Sequence, residues 1–174
     1  MELVRIGDKV ISKERIYQKI SDILDLRASG LSQQEVAEQL DVDRTLISRL
    51  ETIGEVRKGK KLALVGFPIQ NKREIEVIAE AEGVDFSLVM TERERLDFAV
   101  SRNGAELMNY LMTLIAKARE CDSVIFIGSD MRLKMVKALV GSNVFGIEIG
   151  ASPLSEDKHV DPAAVRQLIR NLKQ

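Results

Sequence analysis

The stretch Leu31-Ser32-Gln33-Gln34-Glu35-Val36-Ala37-Glu38-Gln39-Leu40-Asp41-Val42-Asp43-Arg44-Thr45-Leu46-Ile47-Ser48-Arg49-Leu50-Glu51 decides how the first third of the chain folds. Ser32 followed three residues later by Glu35 is a capping box, in which hydroxyl and carboxylate each take up a backbone N–H that a starting helix leaves unpaired. A helix is therefore predicted from Gln33 to Leu40. Asp43 is the next residue suited to capping, and it opens a second helix from Arg44 to Ile53. Val36, Leu40, Val42, Ile47 and Leu50 close a small core between the two, and Ala37 is small because the helices cross there. Upstream, Ser12 caps a supporting helix with Ile16, Ile20, Ile23, Leu24 and Leu26 on one face, ending at Ser29-Gly30. The residues before Ser12 read as a short amphipathic start.

The run from Ser32 to Glu51 resembles the helix-turn-helix of the lambda-repressor and Cro-like (Xre-type) DNA-binding family, and the resemblance covers residues 12 to 53 only. One position departs from it: the family usually has glycine in the turn where this chain has Asp41, although aspartate tolerates a left-handed conformation better than most residues. The resemblance implies double-stranded DNA as partner, with the second helix entering the major groove by its N-terminal end. Asp43, Arg44, Thr45, Ser48 and Arg49 then reach towards base edges. Arg44 and Arg49 are the expected readers of guanine and Thr45 suits a thymine methyl, each good contact contributing about 1 to 3 kcal/mol of discrimination. Gln33, at the start of the preceding helix, would lie against a phosphate. The lesser alternative is that the same polar residues are a solvated face on a module that binds protein.

Charge bears on this choice. The 174 residues carry a formal net charge of −1, with 45% hydrophobic and 30% charged residues. Lys and Arg number 12 against 11 acidic residues from Met1 to Lys61, and 14 against 16 beyond. So small an excess predicts weak nonspecific DNA binding, with reliance on base contacts, on two copies of the chain, or on local cations such as Arg57, Lys58, Lys60 and Lys61. No uncharged apolar run is long enough for a membrane span, and the start lacks the pattern of a secretory signal, so no membrane partner and a cytoplasmic location are expected. Cys121 is the only cysteine, which excludes an intramolecular disulfide.

Residues 54 to 61 are polar, hold two glycines and lack apolar periodicity, so a boundary falls there: a DNA-binding domain at 1–56, a basic linker at 57–61, and a second domain at 62–174. In the second domain short, continuously apolar runs alternate with helical stretches. Strands are expected at 61–67, 85–90, 123–128 and 144–149, and helices at 71–82, 91–100, 103–120, 130–140 and 161–172. Unbroken apolar strands are buried on both faces, so the fold class is α/β: a small Rossmann-like parallel sheet covered by helices, following the three-helix module.

No dinucleotide fingerprint follows Phe67, the phosphate-loop spacing is absent, and lone Cys121 and His159 supply neither a metal site nor a nucleophilic set, so no cofactor, metal or catalytic residue is assigned and the chain is not expected to be an enzyme. Open parallel sheets bind ligands outside the carboxyl ends of their strands. That singles out Gly66, Phe67, Thr91, Gly128, Ser129 and Asp130, where two readings stay open: plain helix capping, or a site for a small-molecule effector. The helix at 103–120 carries Leu107, Met108, Tyr110, Leu111, Met112, Leu114 and Ile115, more apolar circumference than one sheet face needs. It is buried either by its own domain or by a second subunit, and a homodimer would double the DNA contact. The reading is a prokaryotic-type transcriptional regulator, DNA-binding at its N-terminus, with an α/β dimerisation and effector domain. The alternatives are an enzyme or a protein-binding adaptor whose α/β domain is the active part and whose helical module docks.

Overall fold

A computed structural model describes residues 2–55 and 61–173. The chain divides into two compact units, Met1–Glu55 and Val56–Gln174. Arg57, Lys58 and Lys60, the cations expected in the linker, lie outside the described residues.

The first unit begins with an antiparallel hairpin, β1 (Leu3–Ile6) and β2 (Lys9–Ser12), in register Leu3↔Ser12 to Ile6↔Lys9. The amphipathic start is thus a pair of strands. A two-residue connection of this kind favours a positive φ at its first position, which Gly7 supplies at +58°. Three helices follow: α1 (Lys13–Ala28), α2 (Gln33–Leu40) and α3 (Arg44–Gly54). Each start is capped by the side chain before it. Ser12 accepts from the Arg15 N–H, the Ser32–Glu35 box is formed in both directions, and Asp43 accepts from the Thr45 N–H. Between α2 and α3 Asp41 is left-handed, with φ 51° and ψ 56°. Ile23, Val36, Ala37 and Ile47 form the buried centre, with Leu26, Leu31, Leu40, Val42 and Leu50 packed against it. Ile16 and Leu24, expected on the buried face of α1, are instead exposed, because the core of this unit is reached only through Ile23 and its neighbour Leu26.

The second unit is α/β. Its four parallel strands are β3 (Leu62–Gly66), β4 (Phe86–Val89), β5 (Ser123–Gly128) and β6 (Val144–Glu148), in the order β4-β3-β5-β6. The helices are α4 (Lys72–Ala81), α5 (Glu92–Val100), α6 (Gly104–Arg119), α7 (Asp130–Val140) and α8 (Pro162–Lys173), making eight among the described residues. The alternation of strand residues separates two cores. Leu62, Leu64, Ile125 and Ile127 meet Ile75 and Ile78 of α4 and Val165 and Ile169 of α8 on one face. Ala63, Val124 and Phe126 meet Ala118 of α6 and Leu133 and Val136 of α7 on the other.

These two covers are unequal. On the first face α4 buries Ile75, Ile78 and Ala79, and α8 buries Val165, Ile169 and Leu172. On the second, α7 buries no residue fully and α6 buries only Ala118, while α5, whose Phe98 ring meets Tyr110 of α6 at 4.8 Å, buries none. A helix as apolar as α6 normally hides most of its circumference. Here Met108, Met112, Met131 and Met135 each keep 57–61% of their surface exposed, and Val100 keeps 85%.

The chain crosses from β4 past β3 to β5, so strand order reverses between β3 and β5, which is where ligands lodge in open α/β sheets. No described helix is long and apolar enough to cross a membrane.

Candidate functional site

In the first unit, α3 carries the residues singled out for DNA. Arg44, Thr45, Ser48 and Arg49 stand at i, i+1, i+4 and i+5, a spacing that gathers them on one arc of a helix. All four are exposed, whereas Ile47, on the opposite arc, is fully buried against Ile23 and Val36. Neither Arg44 nor Arg49 enters an ion pair among the described residues. Asp43 is exposed but occupied: its Oδ1 accepts the Thr45 N–H at 2.6 Å, and that bond holds the carboxyl below its ordinary pKa. Asp43 therefore starts the helix that displays the arginines.

Gln33 is half-buried, and its side-chain amide donates to Glu51 Oε2 at 2.7 Å. Arg27 Nε donates to Glu51 Oε1 at 2.5 Å, and its Nη1 also bonds the Leu31 carbonyl. One carboxylate thus ties α1, α2 and α3 together. The sequence pattern marked Gln33 for a phosphate but did not reveal this network, because Arg27, Gln33 and Glu51 are distant along the chain.

In the second unit the fold brings Gly66, Phe67, Gly128, Ser129 and Asp130 to the adjoining ends of β3 and β5, with Thr91 at the end of β4. The glycines are forced by crowding. A Cβ on Gly66 would lie 2.5 Å from Ile69 Cδ1, and one on Gly128 would lie 2.6 Å from the Phe126 ring. Thr91 caps α5 in a box with Glu94. Ser129 is fully buried and its hydroxyl accepts from Ser152 Oγ at 2.6 Å. Asp130 Oδ1 accepts the Ser152 N–H at 2.8 Å, the main reason its carboxyl sits below the usual aspartate range. Its own N–H donates to the Gly150 carbonyl. The polar groups at this turn thus have internal partners.

Those partners come from the segment after β6, which the sequence pattern left unread. Lys158 bonds through its backbone to Pro68 and Gln70, Asn71 exchanges two bonds with Val160, and the Glu92 N–H donates to Asp157 Oδ1 at 2.6 Å. The segment is laced across the carboxyl ends of β3 and β4.

Beside it lies a charged group in which an i,i+3 pair of α5 meets an arginine of α7, a meeting that sequence spacing could not anticipate. Arg95 grips Glu92 with both nitrogens, Nε to Oε2 at 2.9 Å and Nη2 to Oε1 at 2.5 Å. Arg132, in the first turn of α7, has its Cζ 5.3 Å from the centroid of the Phe67 ring. Its Nη1 is buried and has no hydrogen-bond partner among the described residues. Burial, and then the nearby Arg95 charge, pull its pKa down. Cys121 is buried, which pushes its thiol up, and His159 is exposed.

Comparison of the chain with models of known families, with curated proteins and with solved structures found no match.

Proposed function

We propose that this chain is a sequence-specific, DNA-binding transcriptional regulator of prokaryotic type, in which α2 and α3 act as a helix-turn-helix and the second unit serves dimerisation and effector binding. The observation that carries the reading is the exposed arc of Arg44, Thr45, Ser48 and Arg49 on a helix whose opposite arc is buried. A helix of this width fits the major groove of B-form DNA, and its N-terminal turn is the part that reaches base edges. Two guanidinium groups about one and a half turns apart, neither in an ion pair among the described residues, supply the bidentate donors that guanine accepts. Gln33 keeps a second amide hydrogen for a phosphate while the first holds Glu51.

The first unit carries 8 Lys and Arg against 11 Asp and Glu up to Glu55, so a single copy would hold DNA weakly. Two copies resolve this. The thinly buried layer of α5, α6 and α7 supports a twofold pairing, because a second subunit laid on it would cover the methionines that the first leaves exposed.

The same acidic excess favours a second reading, a protein-binding adaptor. Leu3, Val10, Ile16, Tyr17 and Leu24 are exposed apolar residues of the first unit that such an adaptor would use. Selection of bound sequences from a random duplex library separates the two. Enrichment of a palindrome that degrades with Arg44→Ala and Arg49→Ala supports the regulator. Absence of enrichment at low salt from folded protein supports the adaptor.

A further inference from the structure

A buried guanidinium nitrogen without an acceptor is costly, since a charged donor taken from water loses more than a neutral one. Arg132 holds such a nitrogen. Its neighbourhood does not relieve it: Glu92 is a carboxylate within electrostatic reach, and both oxygens of Glu92 are taken by Arg95. The two guanidinium groups thus face a carboxylate that only one of them holds, and Arg132 Nη1 is left without an acceptor among the described residues. The location is also specific. Phe67 ends β3, Glu92 and Arg95 follow β4, and Arg132 follows β5, so three strand ends converge around the point where strand order reverses. The half-buried Phe67 ring, held edge-on against Phe126 at 5.6 Å, forms an apolar wall beside the Arg132 guanidinium.

We propose that Arg132, with Arg95, binds the oxyanion of a small organic effector, a phosphate ester or a carboxylate, whose organic part lies against Phe67. The ligand supplies the acceptor that Arg132 Nη1 lacks. Arg95 is shared between Glu92 and the ligand, so Glu92 competes with the anion for the same donors. Arginine suits this role better than lysine because its planar fork meets two oxygens at once.

This inference rests on reading the second unit as an effector domain. Its test uses the full chain and three probes, inorganic phosphate, phenyl phosphate and benzoate, each titrated at an ionic strength matched with chloride while the melting temperature is followed. At least one probe is expected to raise it saturably, because a ligand that binds only the folded state stabilises it by mass action. A phenyl phosphate response stronger than that of benzoate identifies a phosphate ester, and the reverse identifies a carboxylate. Arg132→Gln is expected to weaken the response at least about tenfold, the loss of one charge-assisted contact. Arg132→Lys retains only part of it, and Glu92→Gln tightens binding by releasing Arg95. No saturable shift with any probe, or an Arg132→Gln titration that matches the unaltered chain, overturns the inference. Sequence selection on DNA without added anion is run beside it. DNA binding without an anion response discards the effector site alone, and an anion response without DNA binding discards the regulator alone.

Discussion

Gln33 donates its side-chain amide to Glu51 at 2.7 Å, joining the first residue of α2 to the body of α3, and the other oxygen of Glu51 takes the Arg27 guanidinium of α1. The orientation of α3, and with it the direction in which Arg44 and Arg49 project, is therefore set by polar contacts as well as by Ile47 in the core.

These contacts give the first unit a specific acid response. Arg27, and then Gln33, hold the Glu51 carboxyl below its ordinary value. A carboxylate whose folded pKa is depressed adds stability above its unfolded value, about 4.3, and loses it as pH falls through the lower folded pKa. Glu51→Gln is expected to melt below the unaltered chain at neutral pH, with the gap closing as pH drops through that interval. Thermal melts of both proteins across the acid range check this. A gap that does not change with pH assigns the loss to packing.

Asp41 is the non-glycine residue with positive φ among those described. A left-handed conformation costs most L-residues about 1 to 2 kcal/mol, with aspartate at the low end and a β-branched residue at the high end. Asp41→Gly is expected to leave the stability of the first unit unchanged or raise it by up to about 1 kcal/mol. Asp41→Val is expected to lower it by about 1 to 3 kcal/mol. Denaturant unfolding of the two variants gives the order directly.

Glycines of the second unit separate by their surroundings. Gly66→Ala would push a methyl to 2.5 Å from Ile69 Cδ1 and 3.1 Å from Ile127 Cβ, both fully buried, so a loss of about 1 to 3 kcal/mol is expected from overpacking. Gly104, at the start of α6, has nothing within 4 Å of its Cβ position. Gly104→Ala is expected to stabilise by about 0.4 to 1 kcal/mol through the unfolded chain. Equilibrium unfolding of the pair provides an internal control for each.

The elements of the second unit could be read from the chain because their signals are local. Thr91 with Glu94 and Asn103 with Glu106 announce helix starts within four residues, and the run Ser123–Gly128 is buried at every position, as an unbroken apolar strand implies. The hairpin at the N-terminus is hard to read because its strands are short and mostly exposed, so no apolar alternation marks them; Gly7-Asp8 is the available signal. Ile16 and Leu24 fit the helical period of α1 but face solvent, since periodicity gives a face and not whether anything covers it. The Arg95, Glu92 and Arg132 group was illegible for a different reason. Glu92 and Arg95 are an i,i+3 pair of α5, but Arg132 follows a different strand, and only the crossover from β4 to β5 brings it to them.

The exposed methionines of α6 and α7 yield the sharpest test of pairing. Met131, Met135 and Leu139 recur at i, i+4 and i+8, one stripe of α7, and all are exposed, as are Met108 and Met112 of α6. Stable subunit interfaces remove about 800 Å² from each partner and are most apolar at their centre, which a patch of this composition supplies. A charge placed there is solvated in the monomer but desolvated in a dimer. On the proposed pairing the unaltered chain sediments as a dimer, and Met112→Glu combined with Met135→Glu converts it to a monomer while leaving the melting temperature of the isolated chain nearly unchanged. Sedimentation equilibrium reads the mass, and repetition of the DNA selection reads the consequence: a palindrome should give way to weak half-site enrichment. An unaltered chain that sediments as a monomer, or a double variant that sediments with an unaltered dimer, overturns the pairing through this face.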